Sequence, residues 1–332
     1  MGRVTLDPHQ FFRRLPLAPH QMRDRLTRVA DAIVLCHLGV PRIAREDWSL
    51  TIDGLVASSA TLKFGDLAKF PKFEVTSIHQ CAGSPLQPAE PTQRVCNVKW
   101  GGVRLADILA ACRPSAAAAY VWSTGADYGE FGGVAVEAYV KDLPIARAMT
   151  DALIAYEMND APLAPEHGFP ARLVVPGFYG TNSVKWLTRL TLAAARPDGP
   201  FTTRWYNDPV DGAAGGAAGG TTKPVWSIAP QSILVEPASG AAIELSRPTE
   251  IWGWAWADGG VGKVVVAVAD ARWQAAALEP PNGRGWQRFT LSWTPAESGP
   301  ATLASRATSS SGEAQPQSGR RNAIYRVPVH VM

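Results

Sequence analysis

Residues 211 to 224 read DGAAGGAAGGTTKP, and no packed core can run through them. The ten consecutive small residues from 212 to 221 carry no large apolar side chain, so ordering them costs chain entropy that burial does not offset. The stretch reads as a Gly/Ala-rich linker. A chain of 332 residues is already longer than one hydrophobic core usually serves. The expected division is therefore a domain at 1–210, with 1–32 as an N-terminal extension, a linker at 211–222 and a second domain at 223–332.

The two parts differ in periodicity. Ahead of the linker, WSLTIDGLV (48–56) alternates as a strand does, while TLKFGDLAKF (61–70) and VRLADILAAC (103–112) place apolar residues at helical spacing. FPARLVVPG and VKWLTRLTL read as buried strands, so this part is α+β. After the linker come only short strands, TEIWGWAWAD, KVVVAVAD, WQRFTLSWT, ATLASRATS and YRVPVHV, separated by turn residues. Such spacing predicts a β-sandwich of immunoglobulin-like size. Seven of the twelve tryptophans fall in 221–332, and the expectation is that they fill the sandwich core.

The charge balance argues against nucleic acid as a partner. The net charge is +3 from 32 basic and 29 acidic residues, with no cluster of five or more Lys/Arg. Cys36, Cys81, Cys96 and Cys112 form no C-x-x-C pair, which argues against a zinc site or a disulfide framework. No 18-residue apolar stretch appears, so no membrane span is expected. Prolines and polar residues follow Arg13-Arg14 where a signal peptide needs an apolar run. The expected location is cytoplasmic, or periplasmic if a leader has been removed.

Three stretches carry a resemblance: HQCAG (79–83) with WGGVRLADIL downstream, HGFPARLVVPGFYGTNSVKWL (167–187), and the all-β tail. From about residue 33 onward the chain resembles the sulfite oxidase family of molybdenum enzymes. The resemblance implies a sulfite oxidase-type molybdopterin-binding domain followed by an immunoglobulin-like β-sandwich that dimerises. It also implies molybdenum and molybdopterin as cofactors, with Cys81 as the protein's ligand to the metal. Soft thiolate donors suit molybdenum, and a cysteine at a strand-to-loop junction can face a cleft. For Cys36, Cys96 and Cys112 core packing is the expectation.

By the same resemblance His37 (LCHLGVP), Asp127 (STGADYG), His167, Arg172, Ser183 and Lys185 bind the pterin and its phosphate, with backbone amides of the GFYGTNS turn adding donors. Tyr206 (RWYND) joins Cys81 as a catalytic residue, a phenol placed to give or hold a proton. The implied reaction transfers an oxygen atom to or from a small substrate. C-x-x-C-H is absent, so a separate electron-transfer protein such as a cytochrome is expected.

The anion pocket looks altered. Family arginines at the start of R-N-H and after C-A-G-N are replaced by Leu35 and by Ser84-Pro85-Leu86, with Arg42, Arg45 and Arg204 as possible substitutes. Sulfite is accordingly expected to be a poor substrate. The alternatives are a sulfoxide or nitrate reductase using the same cofactor, or a non-enzymatic homologue acting as a binding protein.

Overall fold

The structure is a computed structural model that describes residues 4–7, 12–14 (backbone only), 16–84, 91–210, 222–268, 273–318 and 321–332. The Gly/Ala-rich segment at 211–221 lies outside the described residues, as do Pro85 and Leu86. The chain forms two compact units. One comprises Met1–Leu15, Ala32–Val75 and Lys99–Trp226, the other Pro16–Asp31, Thr76–Val98 and Ser227–Met332. The second unit thus takes 16–31 and 76–98, including the HQCAG turn, from the chain ahead of the Gly/Ala-rich segment.

The first unit is built on a five-stranded sheet ordered Val140–Pro144, Tyr120–Gly125, Leu187–Ala193, Ser49–Gly54, Ala60–Lys63. The Leu187–Ala193 and Ser49–Gly54 strands run parallel, and the other neighbours are antiparallel. Alternation decides what is buried: Leu50 and Ile52 from one strand and Leu190 and Leu192 from the next enter one apolar core with Trp48 and Val121. Each such Leu or Ile contributes about 1.5–3 kcal/mol by leaving water. The indole N–H of Trp48 donates to the Leu187 carbonyl at 2.8 Å.

The helix expected in VRLADILAAC occupies Leu105–Cys112 and buries Leu105, Ile108, Leu109 and Cys112, the i, i+3, i+4, i+7 stripe of an amphipathic helix. Arg113, at a left-handed φ of 53°, ends it, and Pro114 follows. The helix expected at 61–70 does not form. Leu62 and its neighbours pair with the Ser49–Gly54 strand in Ala60–Lys63, and a 3-10 turn takes Phe64–Lys69. Cross-strand pairing there outweighs a marginal helical preference interrupted by Gly65. The remaining α-helices, Ile145–Ala148 and Pro200–Thr203, are single turns, so the described chain is mostly β.

In the second unit a four-stranded sheet (Gln231–Glu236, Thr249–Trp256, Gln287–Trp293, Ala277–Leu278) accompanies a five-stranded one (Ala242–Ile243, Arg326–Val331, Gly299–Ser309, Val261–Val268, Gln274–Ala275). Their shared core is aliphatic, with Ile251, Ala255, Val264, Val266, Leu303 and Ala307 around Phe289. Trp293 packs against it, but the other tryptophans of its sheet do not fill it as expected. On the Thr249–Trp256 strand Ile251 and Ala255 point to that core, so period-2 alternation turns Trp252, Trp254 and Trp256 to the opposite face. There they lie under segments from earlier in the chain. Trp254 donates to the Met22 carbonyl at 2.6 Å, Trp256 to Gln80 Oε1 at 2.9 Å, and Trp286 stacks on Trp254 at 5.0 Å.

Candidate cofactor and catalytic site

In the first unit the HGFPAR and SVKWL segments meet at Gly168. Its φ is +106°, and a Cβ there would lie 3.1 Å from Arg172 Cβ and 3.2 Å from Lys185 Cβ, so only glycine lets the two cationic residues approach this closely. Arg172, buried in the Arg172–Val174 strand, donates to the His167 carbonyl at 3.0 Å and to the Ser183 carbonyl at 2.8 Å. Ser183 Oγ accepts from the Val175 amide at 3.0 Å. Lys185 Nζ donates to the carbonyls of Leu35 (2.8 Å) and Glu166 (2.9 Å) and to Cys36 Sγ (3.3 Å). One ammonium therefore ties the loop ahead of His37 to the loop ahead of His167. Cys36 is buried, as expected for a packing residue, but it also serves that ammonium.

Burial lowers the affinity of Lys185 for its proton, and Arg172 adds repulsion. Asp127 is the buried carboxyl that interacts with Lys185, and desolvation pushes it up to about 7 in spite of that cation. Four of the seven amides of the GFYGTNS turn are engaged within the fold. Those of Phe178, Tyr179, Asn182 and Ser183 donate to the carbonyls of Val175, Trp226, Tyr179 and Gly180. A tight turn satisfies its own donors first.

His37 and Tyr206 come together: His37 Nε2 and the Tyr206 hydroxyl are hydrogen-bonded. Rings surround the imidazole, with centroids of Phe131 at 4.8 Å, Tyr139 at 5.3 Å and Phe201 at 5.5 Å. Tyr206 reaches this position at a left-handed φ of 60°, a conformation that costs a non-glycine residue on the order of 1 kcal/mol.

Cys81 belongs to the second unit and directly follows the Lys72–Gln80 strand. Its turn is closed by the Cys81 amide on the Arg94 carbonyl (2.9 Å) and the Ser84 amide on the Cys81 carbonyl (3.1 Å). Ser84 Oγ accepts from the Arg94 amide at 2.7 Å. The Gly83 amide points at the sulfur, 3.4 Å away. Two guanidiniums flank the turn: Arg94 donates to the Gly83 carbonyl (2.9 Å) and Arg321 to the Ala82 carbonyl (2.6 Å). Burial pushes the thiol above its ordinary range, while Gly83, Arg94 and Arg321 pull it down.

Arg94 and Arg321 are the residues the sequence did not disclose. Nothing in QRVCN or GRRNA marks them, and chain closure alone brings Arg321 to Cys81. The substitutes that the sequence offered are occupied otherwise. Arg42 is exposed and paired with Asp7 at 2.5 Å, Arg45 lies over the Phe64 and Phe169 rings, and exposed Arg204 lies over Trp205.

The donor set fits the expected cofactor. Two cations, buried Arg172 and half-buried Lys185, outnumber the one buried carboxyl that Lys185 faces, and a phosphate would balance them. Among the described residues no three His, Cys, Asp or Glu side chains are placed to hold a metal ion together. A metal on Cys81 therefore needs other ligands, such as the sulfurs of a dithiolene.

Residues 37–201 match the model of the oxidoreductase molybdopterin binding domain. The chain is 32% identical over 331 residues to mitochondrial sulfite oxidase of Mus musculus, covering 89% of this chain and 60% of that protein. A nitrate reductase [NADPH] of Pichia angusta is 27% identical, over 83% of this chain and 35% of its own length. The chain thus spans three-fifths or less of these two relatives. Among solved structures, the sulfane dehydrogenase SoxCD of Paracoccus pantotrophus superposes with a TM-score of 0.78 and 25% identity, covering 92% of this chain and 82% of that one. The Arg172 and Lys185 cations, the cysteine turn and these matches over most of the chain agree: it belongs to the sulfite oxidase family of molybdopterin-binding oxidoreductases.

Proposed function

We propose that the protein is a molybdopterin-dependent oxidoreductase that transfers an oxygen atom to or from a small oxyanion or sulfur compound. The observation that carries this reading is the Cys81 turn, a thiol at a strand end flanked by two guanidiniums bonded to its own carbonyls. When bound, the molybdenum cofactor supplies the two-electron change that accompanies oxygen transfer. Cys81 would ligate the metal. In the first unit His37, Asp127, His167, Arg172, Ser183 and Lys185 would hold the pterin and its phosphate. Tyr206, hydrogen-bonded to His37, would give or hold a proton at its hydroxyl.

Within the second unit, Arg94 and Arg321 would supply positive charge beside Cys81 where Ser84 does not. Sulfite turnover then measures whether these two cations offset the loss that makes sulfite an expected poor substrate. Electrons would pass to a separate protein such as a cytochrome. The 223–332 segment, as an immunoglobulin-like sandwich, would form a homodimer. Among the described residues no helix is long and apolar enough to cross a membrane; a cytoplasmic or periplasmic setting suits the same chemistry.

The test is molybdenum and pterin analysis of protein made in a cofactor-producing host, followed by turnover assays. Sulfite and a sulfane compound are offered with an oxidising dye, nitrate and a sulfoxide with a reduced one. Oxidation of the sulfur compounds supports the reading. Turnover of nitrate or sulfoxide alone would favour the reductase alternative, which the nitrate reductase relative keeps in view. Protein without molybdenum would favour a binding protein.

A further inference from the structure

Lys141 is wholly buried in the Val140–Pro144 strand. Its ammonium stands 3.6 Å from Asp142 Oδ1, beyond hydrogen-bond reach, and makes no hydrogen bond among the described residues. Asp142 is instead held by Arg196, at 2.7 Å from Nε to Oδ2 and 3.2 Å from Nη2 to Oδ1. The carboxylate is thus already compensated by Arg196, and Lys141 adds a second buried cation at ion-pair distance from it. Its Nζ lies 5.7 Å from the centre of the Tyr206 ring, on the residue whose hydroxyl bonds His37. The Phe131 and Phe201 rings pack against the imidazole and the pair is half-buried, so a nearby charge is only partly screened.

We propose that Lys141 is a positioning residue for the His37–Tyr206 pair: its ammonium disfavours an imidazolium, so His37 stays neutral and Nε2 accepts the phenol's hydrogen. The inference rests on His37 and Tyr206 being site residues. The charges facing Lys141 are Asp142 and Arg196. Of the elements packed on its strand, Tyr120–Gly125 sets Ser123 opposite it. Pro200–Thr203 and Gly180–Asn182 bring no titratable side chain. Ile145–Ala148 brings Arg147, which donates to the Pro176 carbonyl and pairs with Asp151. Burial lowers Lys141 to about 8, so it is charged through the range in which a histidine titrates.

The experiment compares the cofactor-loaded wild type with Lys141→Met and Lys141→Arg. Lys141→Gln serves as a second neutral variant should the Met protein not fold. Asp142 keeps Arg196 in each. NMR titration of the His37 imidazole, assigned with His37→Gln, is expected to show its pKa raised by about half to one unit when the charge is removed. Arginine should restore the wild-type value. The acid limb of the kcat/KM profile should move in parallel. An unchanged His37 titration in the neutral variants, or an arginine variant that behaves like them, overturns the proposal. A wild type that binds no molybdenum defeats the functional reading instead, and the His37 titration still decides the role of Lys141.

Discussion

Replacing Gln80 by leucine tests how the fold holds Cys81. Gln80 is fully buried immediately before the cysteine. Its Nε2 donates to the Ser84 carbonyl at 2.7 Å and to Asn322 Oδ1 at 3.0 Å, and its Oε1 accepts from Trp256 at 2.9 Å. Asn322 is braced in turn, donating to the Ala229 carbonyl at 2.9 Å and accepting at its own carbonyl from Gln315 at 3.1 Å. It cannot swing away to find water. Leucine therefore removes the Gln80 partner from three buried polar groups, at about 1–3 kcal/mol each. The gain from burying leucine offsets about 1–2 kcal/mol of that. A net loss of about 1–8 kcal/mol should lower the melting temperature by about 2–4 °C for each kcal/mol lost. Because the Ser84 carbonyl belongs to the turn that closes on Cys81, bound molybdenum should fall as well. Calorimetry of the purified protein and metal analysis of the same preparation read both effects. A variant that melts within about 2 °C of wild type with full molybdenum would refute the network's role.

Cys81→Ser should abolish turnover while most of the pterin remains, measured by fluorescence of the released cofactor; near-normal activity would exclude Cys81 as the metal ligand. Asp127 carries a folded pKa of about 7 against an ordinary 3.8, so the native state keeps a proton that the unfolded chain releases. Stability of the cofactor-free protein should therefore fall as pH rises from about 4 to about 7, and Asp127→Asn should flatten that dependence in melting experiments. Arg321→Ala should raise KM for an oxyanion about ten- to hundredfold, the worth of one charge-assisted hydrogen bond, with a smaller effect on kcat; an unchanged KM in steady-state assays would remove Arg321 from the pocket. Static light scattering should give twice the mass of the chain, and a monomer at micromolar concentration would rule out the dimer.

Periodicity and motif spacing made much of this protein legible in the sequence. The Leu105–Cys112 helix follows from the stripe in VRLADILAAC, and the strands after residue 222 from alternation. The family resemblance carried by HGFPARLVVPGFYGTNSVKWL implied His167, Arg172, Ser183 and Lys185, which the structure joins through Arg172 and through the close approach at Gly168. These features are local, because a segment's own pattern of apolar side chains and glycines decides them. Tertiary structure decided the rest. The 61–70 segment pairs as a strand because a neighbour offers it a ladder, and the tryptophans of TEIWGWAWAD face away from the aliphatic core because Ile251 and Ala255 already fill that face. Arg94, Arg321 and Lys141 carry no motif. A charge's effect depends on distance and on the polarity of what lies between, and chain closure sets both: it brings Arg321 to the carbonyl beside Cys81 and Lys141 beneath the ring of Tyr206.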